Sequence, residues 1–163
     1  PERAEGELSA MIAFKPLPLE GQAINVVFSV SLYVRIKDAE DIDYKISEAK
    51  FWKFKDRKAL GVMVGLKNEG NIHLRPRIKV HIQDIFGKEL RSTRLKYGTP
   101  VYGGSSEGYS GAFYNFALEP GIYRAVIETE LADVGTRFIK KVYFIAGRKG
   151  GILFTFFKKQ EGS

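Results

Sequence analysis

Ile24-Asn25-Val26-Val27-Phe28-Ser29-Val30-Ser31-Leu32-Tyr33-Val34-Arg35-Ile36 alternates with a period of two. Its even positions are Ile24, Val26, Phe28, Val30, Leu32, Val34 and Ile36, and its odd positions are mostly polar. Successive side chains of a strand point to opposite faces, so the stretch reads as a strand with one wholly apolar face. It is long beside the usual strand of roughly 5–6 residues. A second strand-like run covers 8–14, and residues 7–36 together read as a two-stranded unit. Such a unit is marginal alone in water and must be covered by the rest of the chain, by a partner or by another domain.

Downstream, the same alternation recurs. Leu60, Val62, Val64 and Leu66 form one apolar face, and Ile72, Leu74, Ile78, Val80 and Ile82 another. Further strand-like runs cover about 44–54, 89–96, 109–117, 122–131, 137–146 and 152–158. Glycine-bearing turns separate them: Glu69-Gly70-Asn71, Phe86-Gly87-Lys88, Glu119-Pro120-Gly121, Val134-Gly135-Thr136 and Gly150-Gly151. No window has helical periodicity. The pattern predicts an all-β chain, an immunoglobulin-like antiparallel β-sandwich over 40–163 with an extra N-terminal β-hairpin over 1–39. Asp38, Glu40, Asp41 and Asp43 read as the charged linker between the two parts. In 44–54, alternation places Trp52 and Phe54 in the core, facing the even positions of 60–66.

Composition narrows the function. The chain has 163 residues, 26 Lys and Arg against 19 Asp and Glu, net charge +7, no cysteine and two histidines. A disulfide scaffold, a thiolate zinc site and a cysteine nucleophile are excluded, and no metal centre or cofactor is expected. No apolar run approaches the roughly 18 residues of a membrane helix. No glycine-flanked nucleophile elbow or phosphate loop appears, so the chain reads as a non-enzyme.

Three surfaces are candidates for binding. The first is the edge of the long strand, with Ile24, Val26, Phe28, Val30, Leu32 and Val34. The second is a basic face made by His73, Arg75, Arg77, Lys79 and His81, alternate residues of one strand. It suits a polyanion such as a nucleic acid or acidic glycan, and Arg91, Arg94 and Lys96 extend it if the next strand pairs there. Pro76, which lacks a ladder donor, suggests that this strand lies at an edge or carries a bulge. The third is the tyrosine-, glycine- and serine-rich stretch 97–115, with Tyr97, Tyr102, Tyr109 and Tyr114, the composition of an adaptable contact loop.

Ala23 to Arg35 resembles the last strand of the first domain in periplasmic pilus chaperones, and Met11 to Glu20 the strand and loop leading into it. Val62 to Pro76, with its Asn68-Glu69-Gly70-Asn71 turn, is similar to a strand–turn–strand of bacterial surface proteins with immunoglobulin-like domains. Leu118-Glu119-Pro120-Gly121-Ile122-Tyr123-Arg124-Ala125 fits the Leu-x-Pro-Gly-x-Tyr entry to a later strand of such domains. The resemblance implies an envelope β-sandwich, in the periplasm or on the bacterial cell surface, that meets proteins through strand edges. Its signal peptide is expected to lie outside this chain, and residues 7–36 then end, or stand in for, a preceding domain. The resulting expectation is a chaperone-like or surface-assembly module that works by β-strand augmentation. Its partner is expected to be a protein, a second copy of the chain included, with polyanion binding as the alternative.

Overall fold

The computed structural model describes residues 6–15, 27–95, 100–148 and 150–157. Every regular element in them is a strand except one 3₁₀ turn, Ala132–Val134. β1 (Glu7–Phe14) and β2 (Phe28–Arg35) form a separate antiparallel hairpin. The next eight strands are β3 (Tyr44–Lys53), β4 (Ala59–Asn68), β5 (Pro76–Gln83), β6 (Glu89–Arg94), β7 (Ser106–Tyr114), β8 (Gly121–Leu131), β9 (Thr136–Ala146) and β10 (Ile152–Phe157). They build two antiparallel sheets, β3-β4-β7 and β10-β9-β8-β5-β6. No helix is long and apolar enough to cross a membrane among the described residues.

The two sheets enclose one core. Phe51, Val62, Val64, Leu66, Tyr109 and Phe113 come from the smaller sheet, and Ile78, Val80, Ile82, Ile127, Val142 and Phe144 from the larger. The Phe51 and Phe144 rings stack at 4.6 Å across the gap. Alternate residues of β5 (Ile78, Val80, Ile82) and of β9 (Val142, Phe144, Ala146) face the core, whereas β4 is buried along nearly its whole length. A smaller cluster, Ile72, Leu74 and Leu131 with Tyr44 and Val134, closes one end.

Three expectations from the sequence change here. Trp52 does not enter the core; it is 38% exposed, whereas Phe51 is 6% exposed. The pairing of β3 with β4 slips between Ile46 and Glu48, so the extra residue at the bulge reverses which parity faces inward. Ile46 points in before the bulge, and Ala49 and Phe51 after it. Trp52 lies over Gly61 on the outer face, where any side chain would collide with its ring. Phe54 falls beyond the strand, half-buried under the Arg57 guanidinium at 4.1 Å.

The strand expected over 72–82 begins only at Pro76, and it lies between β6 and β8 rather than at an edge. Proline costs no ladder bond at a strand's first residue, which explains its place without a bulge. About half of the expected contact loop, Ser106–Tyr114, is strand β7: Tyr109 is 2% exposed there, paired with Val64 of β4.

The candidate interaction surface: a projecting apolar hairpin

In the hairpin, Leu8 stands opposite Val34, Ala10 opposite Leu32, Ile12 opposite Val30 and Phe14 opposite Phe28, with no slip in register. These eight side chains share one face, because both strands alternate in phase. The face carries no charge and no hydrogen-bonding group. Its seven larger residues are each between 45% and 61% exposed. The opposite face bears Glu7, Ser9, Met11 and Ala13 against Arg35, Tyr33, Ser31 and Ser29. The two strands pair only with each other, so both outer edges lack a ladder partner among the described residues. Ile24 and Val26, expected to prolong the apolar face, lie outside the described residues.

The hairpin is held at its base. Glu7 and Arg35 are cross-strand neighbours joined at 3.2 Å, and both turn toward the segment between β4 and β5. The Glu7 carboxylate meets His73 Nδ1 at 2.5 Å, with both side chains nearly buried, and Arg35 reaches the His73 carbonyl. Burial alone would push the Glu7 carboxyl up, but hydrogen bonds from His73 and Arg35 outweigh it and hold it below the usual carboxylate value. Tyr33 lies on the His73 ring at 4.1 Å and shares a 2.9 Å hydrogen bond with Tyr102. That bond moves the two phenols apart, Tyr33 down and Tyr102 up. The Arg75 guanidinium sits over the Tyr33 ring at 5.8 Å.

The linker is pinned by backbone rather than by its carboxylates. Asp38 takes a φ of 63° in the turn that reverses the chain, a left-handed conformation that Asp tolerates better than most residues. Asn71 then receives the Asp41 amide on its side-chain oxygen and donates its side-chain amide to Ala39. The Glu69 and Gly70 amides both donate to the Asp43 carbonyl. Buried Asn68 ties its own turn to Val101 and Ile72. The Asn68–Asn71 turn is thus a platform that fixes where the hairpin leaves the sandwich.

The expected basic ladder is not one solvated face. His73 precedes β5 and is buried on Glu7, at the hairpin base. His81 is also buried, with its ring nitrogens 2.7 Å from Glu89 and 3.5 Å from Glu128. Arg77 and Lys79 do lie on the outer face, but they stand opposite Glu130 and Glu128 of β8. β6 does pair with β5, bringing Arg94 beside Lys79. Arg77, Lys79, Arg94, Arg137, Glu128 and Glu130 line a cleft of about 360 Å³ with both signs of charge, where Arg137 is already bonded to Glu128 at 3.0 Å.

No family model, curated protein or solved structure matches the chain.

Of the expected contact tyrosines, Tyr102 joins the hairpin base and Tyr114 is exposed at the end of β7. Tyr109 is core, and burial, aided by Glu107, pushes its phenol up to about 12. Tyr97 lies outside the described residues. The base cluster of Glu7, Arg35, His73, Tyr33 and Tyr102 was not foreseen as a unit. One signal for part of it exists in the sequence: in a hairpin of this register, Glu7 and Arg35 are opposite-charge cross-strand neighbours, while nothing in the sequence ties them to His73 or Tyr102.

Proposed function

We propose that this chain is a non-enzymatic protein–protein interaction module, in which the hairpin joins a partner β-structure by strand addition. One observation carries the reading: a hairpin anchored at its base, with one face apolar and exposed and neither edge paired among the described residues. Exposed strand edges template pairing with another chain, and alternate apolar side chains then supply specificity. The open apolar face, seven large residues each 45–61% exposed, is on the scale of the largest patch on a typical monomer, roughly 300–600 Å², which is often functional.

An immunoglobulin-like topology is supported by two features. Strands β4 and β7 pair in one sheet and β5 and β8 in the other, so the chain changes sheets after β4, after β6 and again after β7. The Tyr123 hydroxyl donates to the Glu119 carbonyl at 2.9 Å, closing a corner at the entry to β8 as tyrosine corners do in such domains. Placement in the bacterial envelope, with a chaperone-like or surface-assembly role, draws on the resemblance of residues 11–20, 23–35, 62–76 and 118–125. The polyanion alternative draws less support, since both histidines of the expected basic face are engaged by carboxylates.

The test is capture of a labelled peptide copying residues 27–36, followed by fluorescence anisotropy. Strand addition predicts binding that a scrambled peptide does not reproduce and that changes less than about twofold between 50 and 500 mM salt, since few charges are involved. Equal binding of both peptides, or none, overturns the proposal.

A further inference from the structure

The occupant of the apolar face follows from its shape. Along the hairpin the facing pairs are Phe14–Phe28, Ile12–Val30, Ala10–Leu32 and Leu8–Val34. Phe14–Phe28 at the outer end is therefore the largest pair and Ala10–Leu32 the smallest, with Ile12–Val30 and Leu8–Val34 equal in size between them. A second hairpin laid on this face and turned end for end sets Phe14 and Phe28 against Leu8 and Val34. It sets Ile12 and Val30 against Ala10 and Leu32. Every bulky pair then meets a smaller one, which is what interdigitation at a sheet spacing of roughly 10 Å requires. A two-fold axis lying between the layers, perpendicular to the strands, generates this arrangement from identical chains.

Two further observations favour a copy of the same chain. The face has no charged or polar side chain, so self-pairing meets no like-charge repulsion and leaves no buried donor or acceptor unpaired. The seven larger residues of the face are each 45–61% exposed and together offer on the order of several hundred Å², the scale of the roughly 800 Å² that each partner gives to a standard interface. We infer that the hairpin faces of two copies pack against each other, end for end, in a symmetric dimer. This inference rests on the hairpin being the interaction element; the second copy covers its apolar face and leaves its strand edges for strand addition.

The experiment is sedimentation equilibrium of the full chain at 1–100 μM, with Leu32→Glu and Val30→Lys made singly and then mixed. The wild type should run at twice the chain mass of 18.4 kDa. Each single variant should run as a monomer, its dissociation constant raised on the order of 100-fold by a charge buried in the interface. Because Val30 of one copy faces Leu32 of the other, mixing the two variants should restore a dimer. Neither residue belongs to the sandwich core, so near-ultraviolet circular dichroism should be unchanged and will report any misfolding. A wild-type monomer at 100 μM, or a Leu32→Glu dimer, overturns the inference. Single variants that disperse but fail to recombine overturn the end-for-end arrangement. A monomer that still captures the 27–36 peptide rejects self-association while leaving strand addition standing, so the two failures can be told apart.

Discussion

Among single residues, Phe51 and Trp52 show how far a side chain's fate depends on a neighbour several positions away. Strict alternation from Tyr44 places Trp52 inside; the bulge between Ile46 and Glu48 puts Phe51 there instead. Nothing in Ile46-Ser47-Glu48 marks the bulge, because it is set by how β3 must pair with β4. The two positions should therefore respond differently to truncation. Phe51→Ala removes a ring stacked on Phe144 and should cost about 3–5 kcal/mol. Trp52→Ala uncovers only the outer face above Gly61 and should cost about 1 kcal/mol. Urea denaturation of the two variants checks this, and equal losses would contradict the assignment of faces. Tyr109 offers an alkaline probe of the same core. Its phenol is raised to about 12, so the folded state holds the proton that the unfolded chain releases near 10. Its contribution to stability is thus full below about pH 10 and is lost as pH rises toward 12. Tyr109→Phe should flatten the decline in melting temperature over that window.

For whole elements, alternation was informative wherever a strand runs without interruption. The hairpin pairing, the even-numbered core face of β4 and the inward Ile78, Val80 and Ile82 of β5 were all legible from period two. The start of β5 was not, because Ile72 and Leu74 keep the same alternation while packing in the small end cluster. Nor was the hairpin's attachment, since Glu7 and His73 are 66 positions apart and meet only through tertiary packing. That attachment should be acid-labile. Glu7 is held below its usual carboxylate value, so its contribution is present above about pH 4.5 and is lost as pH falls through the lowered value. His73 and Arg35 then face a neutral acid, with Tyr33, Tyr102 and Arg75 close by. Glu7→Gln should mimic the acid state at neutral pH and loosen the base by about 1.5–3 kcal/mol, the worth of hydrogen bonds to a charged group. Amide exchange at Ile36, which donates to the Gly6 carbonyl, reports this directly. Exchange there should quicken in the variant while the amides of β4 stay protected. Unchanged exchange at Ile36 would mean that the hairpin is held by something other than the Glu7 cluster.

For the molecule as a whole, net charge and its arrangement make opposite suggestions. A charge of +7 favours nonspecific attraction to any polyanion. Binding with useful affinity needs several cations free to neutralise phosphates or sulfates together, and its salt dependence grows with their number. On the outer face of the larger sheet that supply is reduced: Glu128 engages Arg137 and lies near His81, while Glu89 also holds His81. Arg77, Lys79 and Arg94 remain around the cleft, alongside Glu130. Heparin retention should therefore be weak and should end below about 0.2 M salt, as expected when only a few charges act together. Arg77→Glu with Arg94→Glu should bring elution forward only modestly and leave association through the hairpin unaltered, since neither residue lies on the hairpin. Glu128→Gln with Glu130→Gln tests the balance from the other side. Removing those two carboxylates should free Arg137 and strengthen heparin retention, shifting elution to higher salt. Elution of the wild type above 0.5 M, or no shift in the glutamine variant, would show that the carboxylates do not restrain this face. The cleft would then have to be weighed as a binding surface equal to the hairpin.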